Sequence, residues 1–170
     1  MKRRPHAHQE VRVLRQTAIS LVVLVLLGLL VPAAAGGAPA QKITITMRDF
    51  SYTPDRVTLQ AGVPVDITIV NKGKVGHEFI VYVRPKPGLS GSGLRERAED
   101  NSYFRGLQVQ VVEGPGIEVE RKGQTVVEIK VGSGRSTVVR FTPVKKGTFA
   151  MACLIEGHYE AGQKGTLTIQ

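Results

Sequence analysis

From residue 41 onward, apolar and polar residues alternate with a period of two through most of the chain. Successive side chains on a strand point to opposite faces, so this pattern predicts strands buried on one side. Gln41–Met47, QKITITM, is the first. Thr53-Pro54-Asp55 marks a turn, after which Val57 and Leu59 resume the alternation. Val63–Val70, VPVDITIV, is a second clear strand, Asn71-Lys72-Gly73-Lys74 a turn, and Glu78–Val83, EFIVYV, the next strand. Four more follow at Thr125–Val131, Ser136–Val144, Gly147–Ile155 and Gly165–Gln170. Short strands divided by turn signals predict an all-β sandwich.

The rhythm fails over residues 84–122. RPKPGLSGSG is rich in proline, glycine and serine and reads as loop, LRERAEDNSYF as a short helix. LQVQVVEGPGIEVERKG alternates weakly around Gly114-Pro115-Gly116 and predicts a strand pair or an extended excursion. The whole segment reads as a long inserted connection on one flank of the sandwich, where it would cover an edge strand.

The N-terminus follows different rules. Lys2, Arg3, Arg4, Arg12 and Arg15 precede a 14-residue apolar run, Ala18–Val31, followed by Pro32 and AAAGGAPA. A basic start, a short apolar core and small residues make a secretory signal, with cuts after Ala35 or Ala40. The run is short for a membrane-spanning helix of roughly 20 residues, but an uncleaved tether through residues 17–35 is the rival reading. Either way residues 1–40 are a signal peptide or anchor, and residues 41–170 form one extracytoplasmic domain, periplasmic, secreted or anchored facing outward. No cysteine lies near the cleavage region, which excludes bacterial-type lipidation, and Arg3-Arg4-Pro5-His6 fits a twin-arginine signal poorly. The formal charge is +9, but the first 16 residues carry five basic side chains and one acid, leaving +5 on the domain. Its charges are scattered, with no dense basic stripe of the kind nucleic acid requires.

One cysteine, Cys153, stands in this exported domain, so no internal disulfide exists. It is an inert core thiol, an intermolecular link or a metal ligand. Its surroundings favour the last. Phe149, Met151 and Cys153 share one strand face; His158 follows after four residues and Gln163 after four more. Gly157, Gly162 and Gly165 allow the loop to fold back and aim three side chains at one point. His77, at the start of the strand after the Asn71–Lys74 turn, can complete the set. Thiolate, two imidazoles and a weak oxygen donor suit copper better than magnesium or calcium. Met47 and Met151 read as core, Glu156 and Glu160 as exposed. There is no phosphate-binding glycine loop, G-x-S-x-G or H-E-x-x-H.

FTPVKKGTFAMACLIEGHYEAGQKGTLTI resembles the C-terminal signature of the cupredoxins, the blue copper proteins. VGHEF resembles that family's first histidine, and PDRVTLQAGVPVDITIVNKG the strands before it in small bacterial and archaeal members. The resemblance covers about 41–83 and 125–170, and not 84–122. It implies a Greek-key cupredoxin-like sandwich or barrel holding one type 1 copper ion. The equatorial ligands fall on His77, Cys153 and His158. The axial position, usually methionine, is Gln163, as in stellacyanin-type members; a vacant axial site or the carbonyl of Gly76 are the alternatives. The asparagine frequent after the first histidine is Glu78, so an amide tying the two ligand loops together is not evident.

A filled mononuclear site has no open place for substrate, unlike a catalytic metal centre. The expected function is therefore a one-electron carrier and not an enzyme, docking transiently on redox partner proteins near His158, where Leu154, Ile155 and Tyr159 would form an apolar collar or pack as core. A copper-trafficking module and a copper-free interaction sandwich are the competing readings. The first is disfavoured by the lack of a Met-rich or His-rich cluster, the second by the Cys-x4-His-x4-Gln spacing.

Overall fold

The computed structural model describes residues 39–85 and 88–170. The signal or anchor expected over residues 1–40 lies almost wholly outside the described residues, and among those described no helix is long and apolar enough to cross a membrane. Eleven strands and one helix are described: β1 Gln41–Arg48, β2 Ser51–Thr53, β3 Arg56–Leu59, β4 Val65–Asn71, β5 His77–Tyr82, α1 Gly91–Asp100, β6 Gln110–Val111, β7 Ile117–Lys122, β8 Thr125–Val131, β9 Ser136–Phe141, β10 Gly147–Ala152 and β11 Lys164–Ile169. They form two mixed sheets, ordered β2-β1-β4-β9-β6 and β3-β11-β10-β5-β8-β7. The β1–β4 and β11–β3 pairs are parallel and the others antiparallel.

The period of two decides what fills the space between the sheets. Ile45 and Met47 from β1, Ile67 and Ile69 from β4, and Val139 and Phe141 from β9 face Phe79 and Val81 from β5, Ile129 and Val131 from β8, and Met151 from β10. Met47 and Met151 are fully buried there, as core residues.

β5 departs from simple alternation, because all six of its residues are buried. Its second face, with Ile80 and Tyr82, joins Ala150 and Ala152 of β10 in a separate apolar cluster covered by Leu94 and Ala98 of α1. The helix is the reason that EFIVYV carries apolar residues on both faces. It begins at Gly91, three residues before the stretch that predicted it, and ends at Asp100. Glycine and serine have poor helix propensity, and the N-cap residue Ser90 makes no side-chain capping hydrogen bond; packing of Leu94 and Ala98 supplies what propensity lacks.

The segment 84–122 is more integrated than a flank insertion. β6 and β7 do not pair with each other. β6 is the edge of the first sheet, beside β9, and β7 the edge of the second, beside β8. Between α1 and β6, Tyr103 and Phe104 enter the main core, with ring centroids 4.4 Å from Phe149 and 5.2 Å from Phe141 respectively.

Because Leu94 is the large apolar anchor of α1, Leu94→Ala is expected to cost about 2–5 kcal/mol, the usual range for a buried leucine. Denaturant unfolding of the metal-free protein measures it; a loss below about 0.5 kcal/mol, the level of a surface substitution, would contradict the anchoring role.

Candidate metal centre

His77 is positioned by the turn before it. The buried Asn71 side chain donates to the carbonyls of Val75 and Val131, both at 2.8 Å, and accepts the Gly73 N–H at 2.8 Å. The turn is thereby tied to β8, and His77 enters β5 opposite Val131. The His77 ring is fully buried, and its Nε2 lies 2.8 Å from Oδ1 of Asp49, just after β1. The Asp49 carboxylate also accepts the Lys74 N–H, at 3.1 and 3.0 Å. This backbone donor, and then His77, hold the Asp49 carboxyl below its ordinary range. A carboxylate on the far nitrogen of a histidine fixes ring orientation and raises its basicity as a ligand. The geometry explains Gly73: a Cβ there would collide with the Asp49 carboxylate and come within 2.7 Å of His77 Nε2.

Cys153 follows the last residue of β10, and its backbone N–H donates to the Gln163 carbonyl at 3.1 Å. The loop between them closes through His158 N–H to Ile155 and Gln163 N–H to His158, both at 3.0 Å. Gly157 and Gly162 adopt φ of 79° and 116°, conformations that side-chain-bearing residues rarely take. The result brings Sγ of Cys153 to 3.3 Å from Nδ1 of His158, which is itself 3.2 Å from Nδ1 of His77. One atom from each residue lies within 4.8 Å of the others, the span of a single ion's ligands.

The charge states favour a metal and protect the protein without one. Burial pushes the Cys153 thiol up to about 11, so in the metal-free protein it stays protonated and unreactive. Partial burial and the neighbouring His77 lower the His158 imidazole, leaving it neutral and able to ligate. Gln163 is fully buried, and neither Oε1 nor Nε2 of its amide has a hydrogen-bond partner. Buried amides almost always find partners, so this orphaned pair, in the loop that carries Cys153 and His158, fits a site completed by an ion. Soft sulfur with imidazole nitrogen is a copper donor set.

No amide ties the ligand loops together at position 78, as expected from the sequence; Glu78 makes the tie instead, with its carboxylate. Its Oε2 accepts the Leu154 N–H at 3.0 Å, and its own N–H donates to Cys153 Sγ at 3.3 Å. The side chain is 5% exposed, and Arg95 of α1 meets it with Nη2 at 2.9 Å from each carboxylate oxygen. The same guanidinium donates to Glu128 on β8, whose carboxyl is pushed up to about 7 by burial and then by the Glu78 charge.

Of the four residues singled out in the sequence, His77, Cys153 and His158 bring their donor atoms together, and Gln163 closes the loop of Cys153 and His158 through backbone hydrogen bonds to both. Glu156 and Glu160 are exposed and take no part. Leu154 and Tyr159 pack against the outer cluster and Ile155 against the main core. The aromatic ring beside His158 is Phe50, edge-on at 4.7 Å and 39% exposed. Sequence reading had no signal for Asp49, Phe50 or Arg95. Asp49 and Phe50 sit in a two-residue link between strands, and Arg95 is one of several charges on a helix.

The family model described as a cupredoxin-like domain matches residues 19–87. The chain is similar to the copper-resistant cuproprotein CopI of Rubrivivax gelatinosus, 29% identical over 135 residues, covering 78% of this chain and 69% of that protein. It is 24% identical over 176 residues to the copper-resistant cuproprotein CopI of Pseudomonas aeruginosa, covering 86% and 94%. Among solved structures, the dithionite-reduced auracyanin of Roseiflexus castenholzii matches with a TM-score of 0.54 at 18% identity, over 78% of this chain and 99% of that one, a likeness of fold. The family match ends just beyond the strand of His77; over the cysteine loop the likeness to auracyanin is one of cupredoxin-like fold.

Proposed function

We propose that this protein is an exported mononuclear copper protein that carries single electrons between redox partners, with His77, Cys153 and His158 as in-plane ligands and Gln163 as axial donor. Bound there, copper would supply a one-electron couple between Cu(I) and Cu(II). The reading is carried by the convergence of the three donors within 4.8 Å, together with a buried, unpartnered Gln163 amide at the end of the same loop. Such a set is filled by the protein itself, with no place left for substrate, and that supports a carrier over a catalyst. Thiolate and imidazole serve both oxidation states, and rigid strands on both sides keep the ligands from moving between them. His158 is half-buried beside the exposed ring of Phe50, so a partner docking there would come closest to the centre; weak electron-transfer contacts need only a small surface. Residues 1–40 supply the export signal or tether.

A second reading, copper handling for resistance, is favoured by what the two similar proteins are named for. The two readings differ in what happens on reduction. A carrier keeps the reduced ion; a handling protein surrenders it.

Cu(II) added to the purified protein is expected to give an intense visible thiolate-to-copper band, bleached by ascorbate, restored by reoxidation and absent in Cys153→Ser. No band and no retained copper would refute the site. A Cu(I) chelator added after ascorbate is expected to leave the ion in place; rapid removal would shift the assignment to copper handling. Gln163→Met should raise the reduction potential, because an amide oxygen favours Cu(II) more than a thioether does. An equal or lower potential would show that Gln163 is not the axial donor.

A further inference from the structure

Glu78 stands where the family's frequent asparagine would be, and it brings a charge with it. A buried carboxylate beside a thiolate is unfavourable unless a cation neutralises it and hydrogen bonds occupy its lone pairs. Both conditions are met, and the cation comes from the segment that the family resemblance does not cover. Arg95 projects from α1, which Leu94 and Ala98 hold against the outer face of β5 and β10. Its Nη2 meets both oxygens of Glu78 at 2.9 Å while Nη1 donates to Glu128, so one planar guanidinium spans two carboxylates in a way that the single nitrogen of lysine does not reproduce. Glu78 in turn holds the Leu154 N–H with its side chain and donates its own N–H to Cys153 Sγ. One residue therefore touches the thiolate through its backbone and the next loop residue through its carboxylate. Lys122 sits 2.9 Å from Glu99, which Arg95 approaches only to 4.0 Å, so the close partners of Arg95 are Glu78 and Glu128.

We propose that Arg95 is a positioning residue for the metal centre: through Glu78 it holds the Cys153–Leu154 backbone in place and offsets the negative charge behind the sulfur. The proposal rests on the copper reading above and gives the helix of residues 91–100 a role in the centre's chemistry. The two oxidation states of the ion differ by one charge, so an unneutralised carboxylate behind the thiolate favours the more positive state. Removing Arg95 should lower the reduction potential. Removing the Glu78 charge should raise it.

The test is a double-mutant cycle with Arg95→Met and Glu78→Gln, read by reduction potential, by the visible charge-transfer band and, in the metal-free protein, by hydrogen exchange at the Leu154 amide. Gln at 78 keeps an oxygen for that amide. Arg95→Met is expected to lower the potential, alter the band and speed Leu154 exchange at least tenfold. In the Glu78→Gln background the same change should leave the potential where Glu78→Gln alone puts it, because coupled residues are not additive. Arg95→Lys should restore part of the potential but little of the protection. A variant that loses thermal stability while keeping the wild-type potential and band would overturn the proposal, as would an equal potential shift in both backgrounds. If the wild-type protein retained no copper, the copper reading would fall; Leu154 exchange unchanged by Arg95→Met would overturn the clamp independently of the metal.

Discussion

Strands β5 and β10 meet antiparallel with Ile80 opposite Ala152 and Val81 opposite Met151. Each residue type is committed to a face by that register, and a slip of one position would turn Cys153 from the sandwich interior to the side covered by α1. The register is held from both directions. Phe79, Val81 and Met151 fill the main core, while Ile80, Ala150 and Ala152 lie under the helix. Because β5 starts at His77 and β10 ends one residue before Cys153, the same pairing that buries apolar side chains delivers a histidine and a cysteine to one end of the sandwich. Stability and site share a cause.

The remaining parts of the centre are local devices that finish this placement. Asn71 pins the turn that presents His77, and Asp49 orients the ring. Hydrogen bonds from Cys153 to Gln163 and from Gln163 to His158 close the cysteine loop upon itself. The thiol is buried enough to stay protonated without metal, which keeps the lone free cysteine inert. Metal must displace that proton, so the centre is inert until the ion for which its donors are arranged arrives.

Much of this was legible in the sequence because it is periodic or local. Alternation marked β1, β4, β8, β9 and β10, and the Cys153–His158–Gln163 spacing is a property of a single loop. What escaped depends on which strands meet. β6 and β7 lie close in sequence yet join different sheets, since each completes an edge and neither buries apolar surface on the other. The helix was misjudged at its start because Gly91 and Gly93 speak against helix while the apolar face of β5 and β10 supports it. Glu78 looked like the loss of a tie when compared with an asparagine; its carboxylate makes the tie through Leu154, with a partner 17 residues away that pattern alone does not indicate.

The central claim is that the fold holds the ligands in an arrangement indifferent to the oxidation state of the ion. X-ray absorption at the copper edge, on oxidised and reduced samples of the same loaded protein, tests it most directly. The account predicts one sulfur and two imidazole nitrogens in both states, with only small changes in their distances. A spectrum lacking sulfur, or one in which a ligand is gained or lost on reduction, would contradict it.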